Sequence, residues 1–188
     1  LALILAFAAF LAVIASLVAA SLLRPDVAEF LPTPPGNRPR NPLGPDTATV
    51  DARSETEWRF FSVTRGPLAP PDTAGWDLAF RRFHVVTWGP AADAGPAGPG
   101  ETTLAAGGFA PNVPRERFAA TVFARDTANP ALAHWYRYNV LTHLLRPNGH
   151  VYLVETRAAG RIALEFLSYY CPGAKPGCVT FRWQAVPR

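Results

Sequence analysis

Four side chains in this 188-residue chain, His84, His134, His143 and His150, are of the type that holds a transition metal. Two neutral imidazoles on opposite sides of a pocket ligate haem iron, and Trp and Tyr rings, five of each here, pack on the macrocycle. His143 and His150 flank Arg146-Pro-Asn-Gly149 and approach one another if a hairpin turns there. His84 belongs to the apolar run Phe83-His84-Val85. The competing reading of each histidine is a surface or hydrogen-bonded residue that meets a local polar need.

The other reactive pair is Cys171 and Cys178, which enclose Pro-Gly-Ala-Lys-Pro-Gly, a turn-forming sequence between two strand-like runs. If those strands pair antiparallel, the sulfurs meet across the loop mouth, and a bridge there contributes about 2 to 3 kcal/mol. Two free thiols are the alternative. A metal pair is disfavoured, because two thiolates without a nearby histidine leave a four-ligand site incomplete. A bridge fits an oxidising compartment and places the bulk of the chain in a bacterial periplasm.

Enzyme motifs are missing. There is no Gly-x-Ser-x-Gly elbow, no His-Glu-x-x-His and no phosphate-binding glycine loop, so the expectation is a non-enzyme. The net charge of +4 invites a nucleic-acid reading. The arginines are instead dispersed singly or in pairs such as Arg81-Arg82, without a basic helix or an aromatic RNA-binding motif, and no nucleic-acid partner is expected.

Three stretches position these residues. Leu1 to Leu23 contains no charge and only Ser16 and Ser21 as polar groups. As a helix it reaches roughly 34 Å, enough for a hydrocarbon core of about 30 Å. A single transmembrane helix over 1–23 is the expectation, with a secretory signal peptide as the rival, since Val18-Ala19-Ala20 looks like a cleavage site. The chain has no methionine, initiator included, which implies a start upstream of Leu1. Ala8, Ala12, Ser16 and Ala20 recur every four residues, a stripe that admits a second helix at close range in lipid. The expected partners are therefore the bilayer and other transmembrane helices of a membrane complex.

Residues 24–46 carry prolines at 25, 32, 34, 35, 39, 42 and 45 and predict an extended spacer, either a stalk or a strap along a partner, with Arg38 and Arg40 as contact candidates. From residue 47 to 188 the apolar period becomes two. Val179, Phe181 and Trp183 alternate with Thr180, Arg182 and Gln184, Ile162, Leu164 and Phe166 alternate with Ala163, Glu165 and Leu167, and His150–Thr156 supplies a third run. With Arg157-Ala-Ala-Gly160 as a reversal these form a three-stranded meander. Further strands are expected at Trp58–Val63 and Trp76–Val86, and another from Trp135, where helix and strand patterns compete. Residues 89–108, rich in Gly, Ala and Pro, read as a surface loop.

Trp76-Asp77-Leu78-Ala79-Phe80, Trp135 and Tyr138, Val151-Tyr152-Leu153-Val154, and Ile162 through Tyr170 leading to Val179-Thr180-Phe181-Arg182-Trp183 together resemble the HmuY family over about residues 47–186. The resemblance implies a mainly β, all-β extramembrane domain after the helix. Founding members bind haem through two histidines, and none of the four here is assigned to those positions. The leading expectation is a non-enzymatic accessory subunit of a larger bacterial integral-membrane complex, held in the inner membrane by one helix and without a cofactor. A photosynthetic or respiratory electron-transfer complex is a candidate host. The alternative is a membrane-tethered haem-binding protein.

Overall fold

The computed structural model describes residues 2–22, 26–37, 45–72, 74–87, 132–156 and 160–186. The 89–108 segment, most of the Arg157–Gly160 reversal, and Arg38 and Arg40 lie outside them.

Helix α1, Ala2–Leu22, has 21 residues and is long and apolar enough to cross a membrane. Its described apolar side chains are exposed, so no described part of the chain serves as its core. Ala8, Ala12 and Ser16 are likewise exposed, while the side chain of Ala20 lies outside the described ones. The Ser16 hydroxyl donates to the Ala12 carbonyl at 2.8 Å, which satisfies it within the helix and leaves the stripe without a free polar group.

The remaining elements are strands: β1 Asp46–Asp51, β2 Arg59–Ser62, β3 Gly66–Leu68, β4 Leu78–Arg81, β5 His84–Thr87, β6 Tyr136–Asn139, β7 Leu144–Pro147, β8 Val151–Thr156, β9 Gly160–Cys171 and β10 Lys175–Ala185. They form an antiparallel sheet β1-β10-β9-β8, a second antiparallel sheet β3-β2-β4-β5, and the separate hairpin β6-β7. The expected meander is β8-β9-β10. Its alternation works as the period predicts: Ile162, Leu164 and Phe166 face the main core, whereas Ala163 joins Val151 and Leu153 on the other face. On that outer face Glu165 and Arg182 stand opposite each other in register, with Arg182 Nε donating to the carboxylate at 2.8 Å.

The two sheets meet through aromatic rings. Phe61 of β2 packs edge-on against Phe181 of β10 at 5.0 Å between centroids, and Phe80 of β4 stacks on the same ring at 5.2 Å. Phe61, Phe80, Phe181 and Trp183 are all essentially inaccessible. Asp77 is buried beside them, its carboxylate accepting from the Val63 amide at 2.9 Å, so a charged-type residue enters the core as a backbone acceptor.

Two expectations are corrected. Trp76–Val86 is not one strand: the chain reverses at Arg82-Phe83, with Arg82 at φ 54°, and β5 pairs back on β4. No Gly or Asn marks that turn, and the Arg82 amide donating to the Ala52 carbonyl at 2.7 Å holds the uncommon conformation in place. The described part of the proline-rich spacer is not a free stalk. It lies on its own domain: Glu29 forms a parallel bridge with Tyr170, the Phe30 amide donates to the Tyr170 carbonyl at 3.1 Å, and the Thr33 amide donates to the Thr49 carbonyl at 2.8 Å. Proline excluded the segment from a ladder, but the amides between prolines remained available to pair.

Candidate functional site

The strap, the β6-β7 hairpin and the ends of β9 and β10 enclose a cleft of about 770 Å³, a size typical of small-molecule sites. The strap supplies Asp26, Val27 and Glu29, the β4-β5 turn Arg82 and Phe83, the hairpin Tyr136, Tyr138, His143, Leu144 and Leu145, and the disulfide hairpin Tyr169, Tyr170, Ala174 and Pro176.

The elements are fixed to one another by polar contacts that follow from sequence. Trp135 Nε1 donates to the Phe83 carbonyl at 2.9 Å and stacks on Phe166 at 4.5 Å, locking the start of β6 to the β4-β5 turn and the core. The Leu145 amide donates to the Tyr170 hydroxyl at 2.8 Å, which ties β7 to β9. Cys171 and Cys178 form the expected disulfide, with Cα atoms 4.9 Å apart, and close the loop at the end of the β9-β10 hairpin. Glu29 accepts from the Gly173 and Ala174 amides of that loop, both at 2.8 Å, and so anchors the strap at the rim of the cleft.

The walls are aromatic with polar tips. Burial pushes the Tyr169 hydroxyl up from its ordinary pKa, with the Arg82 guanidinium pulling the other way, and burial does the same for Tyr136. Both phenols are therefore protonated near neutrality. Tyr169 is almost fully buried, and its hydroxyl finds no hydrogen-bond partner among the described residues. A buried phenol in that state is costly unless a ligand or water meets it. At the opposite rim the Tyr138 hydroxyl and His143 Nδ1 are 2.7 Å apart, which leaves the other ring nitrogen as the imidazole's remaining polar atom.

Of the four histidines, the cleft receives one. His143 lines it, held at φ 55° in the turn of the β6-β7 hairpin. The hairpin turns at residues 140–143, not at Arg146–Gly149 as expected, so His143 and His150 sit at opposite ends of β7 instead of facing each other. His134 is exposed at the other end of the hairpin, where its carbonyl accepts from Asn148 Nδ2 at 2.7 Å, and the His150 amide donates to Oδ1 of the same Asn148 at 2.9 Å. His84 lines a separate hollow of about 370 Å³ with Glu55, Arg81, Arg82 and Phe83. Among the described residues no group of three or more His, Cys, Asp or Glu side chains converges on a metal position. Sequence reasoning missed Tyr136, Tyr169, Tyr170 and Arg82 as site residues. The available signal was a concentration of polar-tipped rings, Tyr136 and Tyr138 alternating on one strand and Tyr169-Tyr170 beside the cysteine loop.

No family profile matches the chain, and no curated protein does. Solved structures do. A candidate HmuY-like haem-binding protein from Bacteroides vulgatus superposes with TM-score 0.58 at 16% identity, covering 82% of this chain and 100% of its own. A candidate lipoprotein from Bacteroides fragilis gives 0.56 at 21% identity, covering 76% and 90%. The apo HmuY analogue of Tannerella forsythia gives 0.55 at 16%, covering 76% and 95%. The fold is HmuY-like, as the core aromatics implied. Ahead of this domain stands an apolar N-terminal helix long enough to cross a membrane.

Proposed function

We propose that the protein is a non-enzymatic accessory subunit of a larger bacterial integral-membrane complex, with α1 spanning the inner membrane and the β domain in the periplasm. The carrying observation is α1 itself: a helix whose described apolar side chains are not covered by any other described residue, with a small-residue stripe along one side and its one mid-helix hydroxyl already satisfied. The disulfide supports the periplasmic side. Photosynthetic and respiratory electron-transfer complexes are the hosts to test first. Mild-detergent extraction of native membranes should deliver the chain within a large assembly, and the A12L/S16L variant should be released from it. A chain that always purifies alone would overturn the reading.

A second reading rests on the cleft. Its volume, its aromatic walls and the unpartnered Tyr169 hydroxyl fit a flat, largely apolar ligand, and haem is the ligand that the name of the Bacteroides vulgatus neighbour carries. In this chain His143, paired with Tyr138, is the one imidazole placed to reach such a ligand from the cleft wall. Haemin titrated into the full chain should give a sharp Soret shift that H143A abolishes. A featureless titration excludes haem.

A further inference from the structure

Outside α1 the exposed large apolar side chains among the described residues are few: Leu31 on the strap, and Tyr138, Val140 and Leu141 together at the tip of the β6-β7 hairpin. Val140 is 73% exposed and Leu141 57%. The tip is not a loosely packed loop. Asn139 Oδ1 accepts from the Leu141 amide at 2.9 Å and the Thr142 amide at 3.0 Å, and the Tyr138–His143 contact closes the turn from the other side. A preformed turn that holds aliphatic side chains outward is built to insert them into something.

The chain's own path identifies what. Asp26 follows the last described helical residue, Leu22, by four positions, a reach of at most about 14 Å. Its carbonyl is 3.4 Å from Arg146 Nη2 on β7, and Asp26 lines the same cleft as Tyr138 and His143. The Arg146 end of the hairpin therefore stands within short reach of the point where the chain leaves α1. From Tyr136 to Pro147 it carries two arginines, Arg137 and Arg146, which are exposed and directly opposite in register, and no acid. Aliphatic tip, tyrosine shoulder and basic flank together are the chemistry of an anionic bilayer interface.

We infer that the β6-β7 tip is a second membrane contact, dipping Val140 and Leu141 into the headgroup region while Arg137 and Arg146 meet anionic phosphates. The contact sets the tilt of the β domain and turns the mouth of the cleft toward the lipid surface. This inference rests on α1 lying in the bilayer, and its test reports on the two separately. Full chain carrying V140C, labelled with an environment-sensitive fluorophore on the one free thiol, is reconstituted in phosphatidylcholine–phosphatidylglycerol vesicles; an I14C chain labelled in the same way reads the helix. The Val140 position should show a blue shift and lose emission to a spin-labelled lipid quenching at headgroup depth, while the Ile14 position is quenched by a deep label. Both effects at Val140 should fall in an R137E/R146E background. Quenching at Ile14 without quenching at Val140 overturns the hairpin contact and leaves the anchor standing. Absence of quenching at both overturns the anchor and the inference together. A blue shift at Val140 that no lipid quencher touches means that protein covers the tip, and overturns the lipid assignment.

Discussion

The inter-sheet core and the cleft are both built of aromatic rings, yet one is closed and the other open. Where the two sheets meet, the rings are phenylalanines and a tryptophan at 5.0 to 5.8 Å, edge-on, stacked or tilted, with Asp77 spent on a backbone amide. In the cleft they are mostly tyrosines, and the described residues leave about 770 Å³ between them. The hydroxyl is the difference. A phenyl ring loses nothing by touching only other rings, whereas a phenol must keep one end near a partner, so tyrosines prop their walls apart unless each tip is met.

Four changes probe this contrast. Phe181→Ala removes the ring shared by Phe61, Phe80, Phe166 and Trp183 and should cost about 3 to 5 kcal/mol, read by denaturant unfolding of the full chain. Tyr170→Phe strands the Leu145 amide and should cost about 1 to 3 kcal/mol while loosening the β6-β7 hairpin, visible as faster amide exchange at Leu145. Tyr169→Phe has the opposite sign: it removes a buried hydroxyl without a partner among the described residues and should leave stability unchanged or raise it by on the order of 1 kcal/mol. A loss as large as that of Tyr170→Phe would mean that the cleft is part of the core and not a site. The smallest effect belongs to the rim of the sandwich, where the hydrogen bond from Arg53 holds the Asp51 carboxyl below its ordinary pKa. That pair contributes stability above the usual carboxylate range and loses it as pH falls through the lowered folded value. Acid unfolding of the wild type and Asp51→Asn should therefore differ at neutral pH and converge at the acid end.

How legible each region was follows from the same contrast. The β8-β9-β10 meander and its disulfide could be read because strand alternation and turn chemistry are local: Val179, Phe181 and Trp183 announce a buried face by themselves. The β4-β5 reversal could not, because Arg82 takes its left-handed conformation from a hydrogen bond to Ala52, thirty positions earlier. The strap was hidden for a similar reason. Its prolines declare an extended path, but the carbonyls that receive it, on Thr49 and Tyr170, belong to distant strands. The cleft collects residues from the strap, the β4-β5 turn, the hairpin and the cysteine loop, so no window of sequence contains it. Histidines stand out as ligand types, while nothing local to Tyr136, Tyr169 or Tyr170 marks them as neighbours in one wall. The HmuY-like likeness survived because it rests on core aromatics, which are the residues that set the fold.

The attachment of the strap bears on how the domain carries load. Tension arriving from α1 first reaches the body of the protein at Asp26, whose carbonyl accepts from Arg146, and at Ala28, whose carbonyl accepts from the Ser168 hydroxyl, and then at Glu29, whose carboxylate grips two amides of a loop that the Cys171–Cys178 bond has closed into a ring. The next ties, at Phe30 and Thr33, lie on β9 and β1, which border β10 on either side. Force entering there is shared across three adjacent strands and a covalent loop before it can peel any one of them, so the domain is harnessed to its anchor instead of hanging from a thread.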